Sequence, residues 1–286
     1  IRFPLYTYST SLSVGIFGPG VIGVRLTSIL AQIGLIAVSF FITKKITNKD
    51  KLGLISALLV AISPWSLFLS RFALATNLTA LFVSLGVLFW LDKKYWLSFL
   101  FWSISLYTHI IAWIFIPLIM IYPLIFLIKK KKIKHLAVSG LISLIFSGFI
   151  VYQYFFSNQQ FPNFNFSLSL DFFTTYLKNI DLRTIFLNRG ELYQVSIPGK
   201  GFLFLTSAPF LILGLAKLIK TRVWIIITWL LVSFIPASLR FSQQNFAFSL
   251  VILPLPMMLI ALGLNAVIDF LKTKSELGGN LVLAIS

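Results

Sequence analysis

Long apolar runs separated by short lysine clusters set the pattern of this chain. Residues 21–43 form the first uninterrupted apolar stretch, which stops at Lys44, Lys45, Lys49 and Lys51. Residues 52–70 run back, and residues 72–91 run out again to Asp92, Lys93 and Lys94. Residues 95–128 are apolar throughout. At about 1.5 Å per residue they would extend roughly 50 Å, too long for one ~30 Å hydrocarbon core. They are therefore read as two short crossings that turn near Thr108 and His109. A lysine run at 129–134 precedes a crossing at 135–156, and residues 201–219, 223–238 and 248–271 complete the predicted crossings. Residues 1–20, broken by Pro4, Gly15, Gly18, Pro19 and Gly20, predict an interfacial helix followed by a turn. Residues 157–200 are the one long polar segment and carry Asp171, Asp181, Arg183, Arg189 and Glu191.

Orientation follows from the cations. With the 44–51 loop in the cytoplasm and strict alternation, the clusters at 93–94, 129–134, 217–222 and 272–274 all fall inside as well, as the positive-inside rule requires. Of the lysines, all but Lys178 and Lys200 lie there, whereas every arginine except Arg222 lies on the other side. Without a turn at His109 the later clusters would land on the wrong face. The outer face thus collects Arg2, Arg25, Arg71, Asn77, His109, the long loop and residues 240–245. Arginines on that side run against the usual charge bias. Their guanidinium fork suits a phosphate or carboxylate, and lipid phosphate is the anion at hand at that depth.

Composition removes most alternatives. The 286 residues are 58% hydrophobic and 11% charged, with a mean hydropathy of +0.96; an ordinary soluble domain has about 25% charged residues. The expected fold class is all-α: a polytopic transmembrane helical bundle, one membrane domain over 1–286, with juxtamembrane helices on the extracytoplasmic side. The net charge of +17 is gathered in loop clusters, so it implies a lipid bilayer and not nucleic acid as partner. The absence of cysteine excludes disulfides, Cys-ligated zinc and thiol chemistry. No glycine-rich phosphate loop, His-Glu-x-x-His helix or serine nucleophile elbow is present. The start at Ile1, without an initiator Met, reads as mid-protein, and further sequence is expected before it and after the last residue.

The order of short landmarks resembles the GT-C membrane glycosyltransferases, on the branch of the dolichyl-phosphate-mannose protein mannosyltransferases and the aminoarabinose transferase of lipid A. The matching pieces are Pro4-Leu5-Tyr6, Phe17-Gly18, Val24-Arg25-Leu26 and Ser63-Pro64-Trp65 with Ser70-Arg71. Phe186-Leu187, Pro198-Gly199-Lys200-Gly201, Pro209-Phe210, Gly214-Leu215 and Pro236-Ala237-Ser238-Leu239 follow, and Leu253-Pro254 and Ala261-Leu262-Gly263-Leu264 close the series. The resemblance covers nearly the whole chain.

It implies inverting transfer of a sugar from a polyprenyl-phosphate donor to an acceptor at the extracytoplasmic face. A carboxylate general base is implied in the first outer loop, which would lie before Ile1, and a divalent metal is left open. Arg71, Arg240 and Arg25 are the candidates for donor phosphate; the alternative is headgroup snorkelling for Arg71, packing or a headgroup contact for Arg25, and an altered site at Arg240. Asn77, His109, Glu191 and Asn245 are the candidates for sugar or acceptor. Asn77 serves equally well as a helix-to-helix hydrogen bond, His109 as a turn cap, and Glu191 as a solvated loop charge. The alternative class is a lipid-linked-sugar flippase or other transporter. That reading would place ionisable or Gly/Pro-broken positions at mid-membrane, whereas here they sit at the ends of crossings.

Overall fold

The computed structural model describes residues 4–156, 170–187, 203–239 and 251–285, and among these every regular element is helical. Helix α1 (Pro4–Phe17) ends at a turn in which Gly18 takes a φ of +78°, a conformation glycine adopts without a Cβ penalty. Helix α2 (Val21–Thr47) follows, and Gly23 lets its first turn fold down onto the carbonyl of Gly18; a Cβ there would lie 2.0 Å from that oxygen. At 27 residues α2 is about 40 Å long, and Asn48 closes it in the left-handed region.

The return pass is not one helix. Helix α3 (Asp50–Ile62) stops at Ser63, and α4 (Pro64–Ser70) starts on the proline. Pro64 has no N–H and drives Ser63 out of the helical region, to ψ 132°. The single crossing expected over 52–70 is thus two rods in series. Helices α5 (Ala75–Leu91) and α6 (Tyr95–Ser105) form an antiparallel pair across a three-residue turn. Tryptophan and glycine interlock there: the Trp102 indole N–H donates to the Val83 carbonyl at 3.2 Å, and Gly86 leaves room for the ring. Ser98 donates to the Gly86 carbonyl at 2.6 Å.

A turn at 106–110 leads into α7 (Ile111–Lys129), as the excess length of the apolar run requires. Helix α6 is only about 16 Å long and cannot span a ~30 Å core alone. The expected short crossing is a partial one. Helix α8 (Ile133–Phe156) packs on α6 and α7. Helices α9 (Leu170–Ile180) and α10 (Leu182–Leu187) lie within the long polar segment. Helix α9 docks on the later helices, with the Tyr176 hydroxyl donating to the Leu231 carbonyl at 2.9 Å and Asn179 donating to Ser238 at 3.0 Å.

A turn of 3₁₀ helix (Leu205–Ser207) leads into α11 (Ala208–Thr221). Helices α12 (Trp224–Ser233) and α13 (Ile235–Leu239) form a broken pass, and α14 (Leu255–Ile285) runs on beyond the crossing expected to end at 271. Helices α11 and α14 meet backbone to backbone. A Cβ on Gly214 would sit 1.9 Å from the Leu259 carbonyl oxygen, and one on Gly263 would sit 1.8 Å from that of Phe210. Small residues that let helix backbones touch are the usual means of association in lipid, where apolar side chains gain nothing by leaving the solvent.

Among the described residues two helices, α2 and α7, are long and apolar enough to cross a membrane by themselves. Exposed apolar side chains cover the outside of the bundle, among them Ile29, Leu30, Ile33 and Phe41 on α2 and Leu141, Leu144 and Ile145 on α8. Water would penalise such a surface; hydrocarbon does not.

Candidate functional site

The bundle has two chemically distinct ends. At one, ion pairs tie the lysine turns together. Lys45 pairs with Asp92 at 2.6 Å, joining the end of α2 to the end of α5, and Lys44 pairs with Asp50 at 2.9 Å. Asp269 on α14 takes Lys217 at 3.3 Å and Lys49 at 3.6 Å, and Asn265 donates to it at 2.7 Å. Lys132 donates to the Tyr95 hydroxyl at 2.9 Å. The loops near 44–50, 92–95, 132 and 217 therefore share one end, as alternating passes with lysines on one side demand.

Tyr6, Ser28, Leu74, Thr79 and Thr108 define the opposite end. Tyr6 and Ser28 share a hydrogen bond of 3.0 Å, and Ser28 donates to the Leu74 carbonyl at 3.4 Å. Thr79 and Thr108 are joined at 2.7 Å, and the Leu5 N–H donates to the Tyr107 carbonyl at 3.2 Å. Arg25, Arg71, Asn77 and His109 all lie on these segments. Along α2, Arg25 stands about 29 Å of helix rise from Lys44, close to the ~30 Å thickness of a bilayer core.

Within this end the candidates divide. Arg71 is exposed in the link between α4 and α5, and Arg25 is exposed on the second turn of α2. Among the described residues no carboxylate pairs with either. Asn77 is only 1% exposed, enclosed by the bundle. Of its two readings, the bond within the bundle is the one this burial favours. His109 is half-buried, and its Nδ1 accepts the Ile111 N–H at 3.2 Å, so it caps the first turn of α7. Glu191, Arg240 and Asn245 lie outside the described residues. No group of three or more His, Cys, Asp or Glu side chains stands close enough to hold a metal ion among the described residues.

A feature not foreseen from the sequence involves Trp65, on the helix that precedes Arg71. An apolar cavity of about 130 Å³ is enclosed between α4, α9, α10, α11, α12 and α14, with Trp65, Ile185, Leu211, Leu215, Phe234 and Leu259 on its walls. Trp65 and Arg71 are separated by about 9 Å of rise along α4 and its end. The only sequence signal for this hollow was the Ser63-Pro64-Trp65 landmark, because its walls come from six separate helices.

The all-helical fold of this chain is one it shares with solved structures of a larger protein. The solved structures it is similar to are those of ArnT from Cupriavidus metallidurans. The apo structure superimposes over 91% of this chain at 14% identity with a TM-score of 0.63, and the one bound to undecaprenyl phosphate over 92% at 16% with a TM-score of 0.57. The chain spans about half the length of those proteins, 48% and 50%. No family model and no curated protein matches it.

Proposed function

We propose that this chain forms the donor-binding part of a polyprenyl-phosphate-dependent glycosyltransferase that acts at the extracytoplasmic face, with inversion. The carrying observation is the placement of Arg71. It stands at the end opposite the lysines, just past the short helix whose Trp65 lines an apolar hollow, in a fold that has been solved in ArnT bound to undecaprenyl phosphate. In this reading the hollow takes part of the isoprenoid chain and the guanidinium takes the phosphate, with Arg25 and Arg240 as further phosphate ligands.

The acceptor hydroxyl attacks the anomeric carbon from the face opposite the phosphate. The bond between that carbon and the phosphate oxygen breaks as the new glycosidic bond forms, and the hydroxyl proton passes to a carboxylate. Charge builds on the departing phosphate, and a fixed guanidinium lowers the barrier by meeting it as it develops. The described acids do not offer the base. Asp50, Asp92 and Asp269 are engaged with lysines at the far end, and Asp171 and Asp181 are exposed on the α9–α10 segment.

The test is release of polyprenyl phosphate from a lipid-linked sugar by the protein in vesicles, followed by mass spectrometry. Arg71→Ala is expected to lower kcat/KM about a hundredfold, within the range for losing one donor to developing charge, while membrane insertion is unchanged. Transfer at the parental rate would remove Arg71 from the site. Movement of the lipid-linked sugar between leaflets without transfer would favour a flippase.

A further inference from the structure

The lysine end carries a second hollow that the transfer reading does not use. It measures about 440 Å³ and is lined by Phe41, Lys44, Lys45 and Asn48 of α2 and its cap, and by Leu88 and Asp92 of α5 and its cap. Its lining is graded along the membrane normal. Phe41 and Leu88 lie toward the bilayer, Lys44, Lys45 and Asp92 lie about one helical turn further out, and Asn48 about two. Phe41 is exposed on the lipid-facing surface, so the apolar wall continues outside the pocket. The neighbouring charge is unbalanced: Lys44, Lys45, Lys49, Lys51, Lys93 and Lys94 stand near three carboxylates, Asp50, Asp92 and Asp269, the last of them shared with Lys217. Lys44 and Lys45 each keep about half of their side chain exposed despite these pairs.

We infer that this pocket binds the phosphate headgroup of an anionic phospholipid of the lysine-side leaflet. A phospholipid has the same gradient, with a phosphate followed within a few ångströms by the start of its acyl chains. Basic hollows between transmembrane helices are suited to such headgroups. The ammonium groups of Lys44 and Lys45 take the phosphate oxygens, the Asn48 amide supplies a neutral donor, and the first methylenes rest on Phe41 and Leu88. Asp92 holds Lys45 between α2 and α5, so the ligand exchanges one anionic partner of Lys45 for another. The proposal needs only the membrane placement of the chain and stands apart from sugar transfer.

Native mass spectrometry of the detergent-purified protein, titrated with phosphatidylglycerol or phosphatidylcholine, tests it. The protein is expected to retain phosphatidylglycerol in preference to phosphatidylcholine. Lys44→Gln with Lys45→Gln should weaken retention about tenfold, whereas Lys44→Arg with Lys45→Arg, which keeps the charge, retains it. Asp92→Asn should tighten it. Equal retention of the two lipids would overturn the proposal. So would an equal loss from Lys129→Gln with Lys130→Gln, which thins a lysine cluster elsewhere. A thermal shift by inorganic phosphate as large as that by phosphatidylglycerol would also overturn it, since the apolar wall would then contribute nothing. The arginine pair separates loss of charge from loss of folding.

Discussion

Gly214 and Gly263 are the residues at which the least change has the largest structural consequence. Each faces a carbonyl oxygen of the opposite helix at a distance no Cβ can share, and the neighbour is backbone, which has no rotamer to give. Gly214→Ala or Gly263→Ala is therefore expected to cost about 1–3 kcal/mol, read as a lowered midpoint of thermal unfolding in detergent. An alanine at Gly140, where a Cβ meets nothing within 4 Å, serves as the control and should leave the midpoint unmoved. At this scale the sequence was only partly legible. Both glycines stood among the landmarks of the resemblance, but their reciprocal contact depends on how two helices remote in sequence cross. Asn77 shows the converse limit: an amide one turn into a helix suits a sugar or a neighbouring helix, and burial alone separates the two.

Among the elements, the turn at His109 was readable because an apolar run of that length has no other way to fit a bilayer. The break at Ser63 was harder to read, since both flanks are apolar and hydropathy runs through it; the signal was Pro64 and its effect on the preceding residue. That break matters because it lets α4 leave the line of α3 and bring Trp65 to the cavity. Leu215, on the cavity wall, is half-buried on α11. Leu215→Trp fills the hollow, and the expected result is a rise in KM for a polyprenyl-linked donor of several-fold or more. A donor analogue with a short chain should be affected far less, and comparing the two KM values checks it. Equal effects on both would separate the cavity from the isoprenoid tail.

For the whole molecule, the division into a lysine end and an arginine end came from charge alone, and the ion pairs and turn contacts reproduce it without reference to hydropathy. The cavity and the lysine-end pocket had no such signal, because each is assembled from helices far apart in sequence. The absence of cysteine makes the two-ended arrangement directly testable. Single cysteines at Ala73 and at Lys131, both exposed, should react with a membrane-impermeant maleimide from opposite sides of sealed vesicles. Labelling of both from the same side would contradict the topology. Such labelling also decides which face carries Arg71, which the fold of the ArnT structures does not by itself assign to this chain.

The proline step between α3 and α4 has one more consequence. Trp65 sits on the short rod α4 and Arg71 directly follows its last residue, beyond the proline step that parts the rod from α3. A chain that presses on the indole is therefore expected to shift the cation that follows the rod, so that occupancy of the greasy hollow and aim of the guanidinium vary together.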